Sequence, residues 1–183
     1  MNSFTELRTA EIESILSKKG KLTREERIIL EIKNNPGIRF RELMKSMKVA
    51  NGVMSYYIQK LEKRGIIFTE RKSGVSRLFT VNIDTSDVSL IKFLRTPTPK
   101  KIMLVLLKDD KLTFSQITEK IQMSPSTTSF YLKKLVSSNI VCVLHGGNNK
   151  YTLENKKQIS NLIVLYHPSI IDTASENLAD IFS

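Results

Sequence analysis

Two stretches of this sequence gather side chains suited to reading a polyanion rather than to breaking a bond. One holds Asn51, Gly52, Val53, Ser55, Tyr56, Gln59 and Lys60; the other holds Ser126, Thr127, Ser129, Phe130, Lys133 and Lys134. A primary amide pairs bidentately with an adenine edge, while lysine and tyrosine reach phosphate oxygens. Asn51 and Gln59 are therefore the candidate base readers. Arg71, Lys72 and Arg77 form a further basic group able to neutralise phosphates or enter a minor groove. Their later counterparts, His145, Gly146, Asn148 and Lys150, carry less charge. The earlier group is accordingly expected to supply more of the electrostatic affinity.

Bond-making chemistry has no comparable candidates. The sequence contains no GxxxxGK[ST], GxSxG or HExxH pattern, and its two histidines, His145 and His167, lie 22 residues apart. With Cys142 as the single cysteine, neither a disulfide nor a Cys/His metal cage is within reach. The reading is of a non-enzyme with no metal and no cofactor. Cys142 falls on a predicted strand and reads as a buried structural thiol in preference to a redox switch. Tyr57 and Tyr131 read as packing residues.

The balance of charge agrees with a polyanionic partner. The 183 residues carry 29 Lys and Arg against 18 Asp and Glu, a net charge of +11. Residues 39–77 hold ten basic and three acidic side chains, and residues 91–157 hold twelve and four. A surplus of this size, concentrated in this way, implies a polyanionic partner, most often nucleic acid; the alternative that composition leaves open is a solvated basic surface with no partner. The last 26 residues hold three acids and no Lys or Arg; they would repel a phosphate backbone and need another task. The longest apolar runs are far shorter than the roughly 20 residues of a membrane span. The start, Met1-Asn-Ser-Phe-Thr-Glu, reads as something other than a signal peptide, so a cytoplasmic location without membrane contact is expected.

The elements that must position these side chains are duplicated. An offset of 74 aligns residues 27–71 with 101–145 without a gap, and eight positions are identical, among them Phe40/Phe114, Ser55/Ser129, Tyr57/Tyr131, Lys60/Lys134 and Leu61/Leu135. Beyond the alignment, Phe79-Thr-Val81 is matched to Tyr151-Thr-Leu153, a slip of two assigned to the hairpin tip. Each copy reads as three helices and a strand hairpin. Thr23 with Glu26 and Thr113 with Gln116 are capping boxes, and Ser124-Pro125 is an N-cap followed by a proline at the first helical position. Met54, Ile58 and Leu61 define the inner face of one third helix; Met123, Thr128, Leu132 and Leu135 do so for the other. Strands are predicted at 66–70 and 77–83, with a tip at 71–76, and a second tip at 145–149. Outside the copies, Phe4, Leu7, Ile12, Ile15 and Leu16 form an N-terminal apolar stripe. Ile159, Leu162, Ile163 and Tyr166 precede a last helix over 168–182.

A short helix, a turn, a second helix and a hairpin form a winged helix-turn-helix. Ser124-Pro-Ser-Thr-Thr-Ser-Phe-Tyr-Leu-Lys-Lys-Leu135 resembles the recognition helix of ArsR- and MarR-like transcription regulators, and Asn51 to Leu61 resembles the same element. The whole is similar to archaeal regulators built from two tandem winged-helix modules and a helical C-terminus. The resemblance implies a mainly α fold with small β-hairpin wings. The expected organisation is an N-terminal helix over 1–21, winged modules over 22–85 and 86–154, and C-terminal helices over 155–183 for packing or dimerisation. It implies sequence-specific binding of double-stranded DNA through the residues named above, and a homodimer formed through terminal helices. The sequence does not define a small-molecule effector. The alternative is a winged helix that docks proteins in a transcription or other assembly.

Overall fold

A computed structural model describes residues 3–18, 20–72 and 74–166. These residues divide into two compact units, with the boundary between Thr85 and Ser86. The first runs α1 (Ser3–Ser17), α2 (Arg24–Asn34), β1 (Ile38–Arg39), α3 (Phe40–Met47), α4 (Asn51–Lys63), β2 (Ile67–Lys72) and β3 (Val75–Thr80). The Thr23 hydroxyl accepts from the Glu26 amide at 3.2 Å, and the Glu26 carboxylate accepts from the Thr23 amide at 2.7 Å. This reciprocal pair satisfies two amides left over at the start of α2. Lys18 also donates to Glu26; that bond, with the Thr23 amide, lowers the carboxyl pKa from its ordinary 4.5 to about 2.

The apolar spacing of each helix decides what it buries. Met54, Ile58 and Leu61 of α4 close on Ile28, Ile29 and Ile32 of α2 and Leu43 of α3 in one core. Ile12 and Ile15 bring α1 into the same core, while Leu7 and Leu16 stay exposed; Phe4 lies outside the described side chains. The sheet is antiparallel in the order β1-β3-β2. At the end of α4 the chain turns through Gly65 at φ 65°, a left-handed conformation that costs a residue bearing a Cβ.

The second unit runs α5 (Thr85–Leu94), α6 (Pro97–Lys108), β4 (Leu112–Thr113), α7 (Phe114–Ile121), α8 (Pro125–Ser137), β5 (Val141–Leu144), β6 (Lys150–Leu153) and α9 (Lys156–Leu165). Thr113 caps α7 reciprocally with Gln116, and Ser124 caps α8 by accepting from the Thr127 amide at 3.2 Å. Thr128, Leu132 and Leu135 of α8 are buried, as their spacing predicts, while Met123 precedes the helix and is half-buried. The sheet again runs β4-β6-β5, with α9 buried through Ile159, Leu162 and Ile163.

The duplication extends to the backbone. Left-handed conformations at Gly37, Lys48 and Gly65 recur at Lys111, Gln122 and Asn139, each 74 residues later. The hairpins correct the sequence alignment. Ile38 pairs with Leu78 and Leu112 with Tyr151; Ile67 pairs with Thr80 and Val141 with Leu153. The ladder therefore slips by one residue and not two: Leu78 matches Tyr151, and Arg77 matches Lys150. The first wing is also longer than predicted, since 71–72 and 75–76 are paired strand and not loop. The two-residue strands β1 and β4 and the helix α5 carry too short or too plain a pattern to be seen in the sequence. The expected last helix over 168–182 lies outside the described residues.

Candidate nucleic-acid interface

In each unit the third helix of the repeat, α4 or α8, turns its polar face outward because its apolar residues are committed to the core. On α4, Asn51, Gly52, Val53, Tyr56, Gln59 and Lys60 are exposed and Ser55 is half-buried. Asn51 shares a 3.3 Å hydrogen bond with Ser55, so its amide is held at the first turn of the helix. On α8, Ser126, Phe130, Lys133 and Lys134 are exposed, and Thr127 and Ser129 are half-buried. The Ser126 and Thr127 hydroxyls both lie within hydrogen-bond distance of Ser124. Each predicted face is thus assembled on one helix. Tyr57 and Tyr131 are half-buried, as packing residues would be.

The cations of the two units stand in different situations. Lys60 donates to Glu25 at 2.5 Å, and this carboxylate raises the lysine pKa. Arg64, at the end of α4, bridges Glu25 on α2 and Glu11 on α1. The three helices are thereby joined by one chain of ion pairs, which lines a cleft of about 500 Å³. Arg71 on the wing is exposed but lies 3.4 Å from Glu62. The Lys72 side chain lies outside the described side chains.

Arg77 departs from its expected role. It is buried, and its Nη1 donates to the Gly37 carbonyl at 2.9 Å, across the β1–β3 edge. Burial, then the nearby Arg39, lowers its pKa. The four successive β3 residues from Arg77 to Thr80 are all buried, so this side chain is covered and ties the sheet to Gly37. Its ladder counterpart, Lys150, is exposed. Among the described residues Lys133, Lys134 and Lys150 form no ion pair.

Some cations escaped the sequence reading. Arg41, Lys45 and Lys48, on α3 and its following turn, are exposed and unpaired among the described residues. The helix before a recognition helix crosses the nucleic-acid backbone, so these are phosphate candidates. The signal lay in the sequence: their counterparts in the second copy are Ser115, Glu119 and Gln122, a complete loss of positive charge. Beside the recognition helix, the first unit therefore carries unpaired cations on α3 and, at Lys63, at the end of α4, and the second on α8 and its wing, among the described residues. Cys142 is half-buried and not the buried thiol the sequence suggests; it donates to Glu154, and that hydrogen bond, with partial desolvation, raises the thiol pKa.

Comparison with known proteins follows the same division. Residues 15–67 match the family model of the winged helix-turn-helix DNA-binding domains, and residues 96–142 match that of the bacterial regulatory proteins of the arsR family. An uncharacterized HTH-type transcriptional regulator of Methanocaldococcus jannaschii is 27% identical over 117 residues, which are 64% of this chain and 29% of that protein. The chain thus spans under a third of that relative's length. The crystal structure of a Corynebacterium diphtheriae protein aligns at 16% identity and a TM-score of 0.28, over 71% of this chain and 26% of that one. Among the described residues no helix is long and apolar enough to cross a membrane. Each structural unit thus carries one family match of the winged helix-turn-helix kind, which supports a tandem winged helix-turn-helix regulator.

Proposed function

We propose that this protein is a sequence-specific, double-stranded DNA-binding transcription regulator that applies both winged-helix modules, 22–85 and 86–154, to the duplex. The observation that carries the reading is the pair of exposed third-helix faces, flanked by unpaired cations on α3 in one module and on α8 and the wing in the other. Asn51 and Gln59 offer amides to adenine edges. Arg41, Lys45 and Lys48, with Lys133, Lys134 and Lys150, take phosphates. Arg71 contributes only after parting from Glu62, and Arg77 acts by holding the sheet. The first module owes its electrostatic affinity to α3 and not, as the sequence suggests, to the wing.

The titration that tests this reading follows binding of the full chain to a duplex enriched by the protein from a random pool, and to an unrelated duplex, at several salt concentrations. Tighter binding to the enriched duplex and affinity falling with salt are expected. Equal binding to both would remove sequence specificity. The proposal includes a cytoplasmic location and a homodimer formed through the terminal helices, with half-sites about 34 Å apart, one turn of the duplex. Light scattering of the full chain should give twice the chain mass; a monomer would overturn the pairing.

A further inference from the structure

Phe130 is the anomalous side chain on α8. The inner face of that helix is already closed by Thr128, Leu132 and Leu135, yet this apolar ring stands 51% exposed. It is nevertheless held. Tyr131 meets it edge-on, with ring centroids 5.1 Å apart and planes at 81°, and Lys134 Nζ lies 4.1 Å from the ring centroid, over one face. An ammonium in that position is attracted by the ring's negative face.

The matching position in the first unit provides an internal contrast. Tyr56 is 61% exposed and meets Tyr57 edge-on at 5.4 Å. The cation there has been drawn away: Lys60, the counterpart of Lys134, is paired with Glu25. Pro99 stands in the second copy where Glu25 stands in the first, and among the described residues no carboxylate pairs with Lys134. One helix thus presents a ring with a hydroxyl and no cation over it, and the other a purely apolar ring capped by a cation.

We infer that Phe130 is a specificity-determining residue that reads the 5-methyl group of thymine in the major groove, and that Lys134 positions it. The inference rests on the DNA-binding reading and names what the second module recognises. Thymine alone among the bases offers an apolar group on the major-groove edge, and phenylalanine is a side chain suited to meet it. Ser126 and Thr127 lie one turn before Phe130 on the same face, and Lys133 and Lys134 one turn after. The ring is therefore a small apolar patch with hydrogen-bond donors at both ends. An apolar protein surface would bury those lysines without a counter-charge, which is costly; a duplex supplies phosphates on either side of its groove.

The test uses the full chain and the enriched duplex, with each thymine replaced singly by uracil, a change that removes only the methyl group. At one or more thymines the wild-type protein should lose affinity about fourfold, the worth of one buried methyl. Phe130→Ala should bind more weakly, show no penalty at that thymine, and keep the salt dependence of the wild type. Phe130→Leu, which retains an apolar surface, should keep part of the penalty and serves as the test should the alanine variant fail to fold. A Phe130→Ala protein that folds and remains as sensitive to uracil as the wild type overturns the inference. So does a wild type indifferent to every replacement; in both cases DNA binding itself stands. Failure of the full chain to bind any duplex at low salt would instead remove the reading beneath it.

Discussion

At the scale of single residues, the same side-chain type is put to different uses according to what its backbone position faces. Arg77 and Lys150 occupy one ladder position, but the first is turned into the sheet against the Gly37 carbonyl and the second is exposed. Arg77→Ala should leave a buried carbonyl without its donor and cost about 1–3 kcal/mol of stability in thermal melting, with the salt dependence of DNA binding unchanged. A shallower salt dependence with unchanged melting would make Arg77 a phosphate contact instead. This distinction was not legible in the sequence, because two side chains at one ladder position differ in burial through what packs over them, and that is set by residues distant in the chain. The outward residues of the third helices were legible, since Met54, Ile58 and Leu61 leave them no other face. The left-handed backbone at Lys111 and Asn139 was hidden, because neither is the glycine that marks such positions at Gly37 and Gly65.

Between elements, the ion pairs set the two units apart. Glu25 and Glu11 hold α4 to α2 and α1 through Lys60 and Arg64, and Pro99 and Ser138 in the second copy allow no such chain. Exposed pairs of this kind add little stability; their consequence is that two cations beside a recognition face are already engaged. Glu25→Gln should release Lys60, tighten binding to any duplex, and steepen the dependence of log affinity on log salt by about 0.9, the increment for one further phosphate. Unaltered affinity and slope would mean that the ion pairs have no bearing on DNA contact. Capping boxes and the Ser124-Pro125 start were readable because a helix start requires specific side chains within three residues. The pairs were not, because Glu25 and Arg64 are brought together by packing across 39 positions of chain.

For the whole molecule, two copies of one supersecondary unit have diverged in where each keeps unpaired positive charge near its recognition face: on α3 and at Lys63 in the first, on α8 and its wing in the second, among the described residues. The net charge of +11 announced a polyanionic partner but could not say which lysines were available, since availability depends on carboxylates distant in sequence. The fold was legible because the 74-residue repeat displays the same apolar spacing twice, and a pattern seen twice outweighs the ambiguity of either copy alone. The measurement closest to the central claim is the salt dependence of duplex binding by the full chain, compared with a variant in which Lys133, Lys134 and Lys150 are all changed to glutamine. The slope of log affinity against log salt should be steep for the wild type and shallower by about 2.7 for the variant, three phosphate contacts at 0.9 each. A slope near zero in the wild type, or the same slope in both proteins, would contradict a recognition helix and wing that hold their lysines free for DNA.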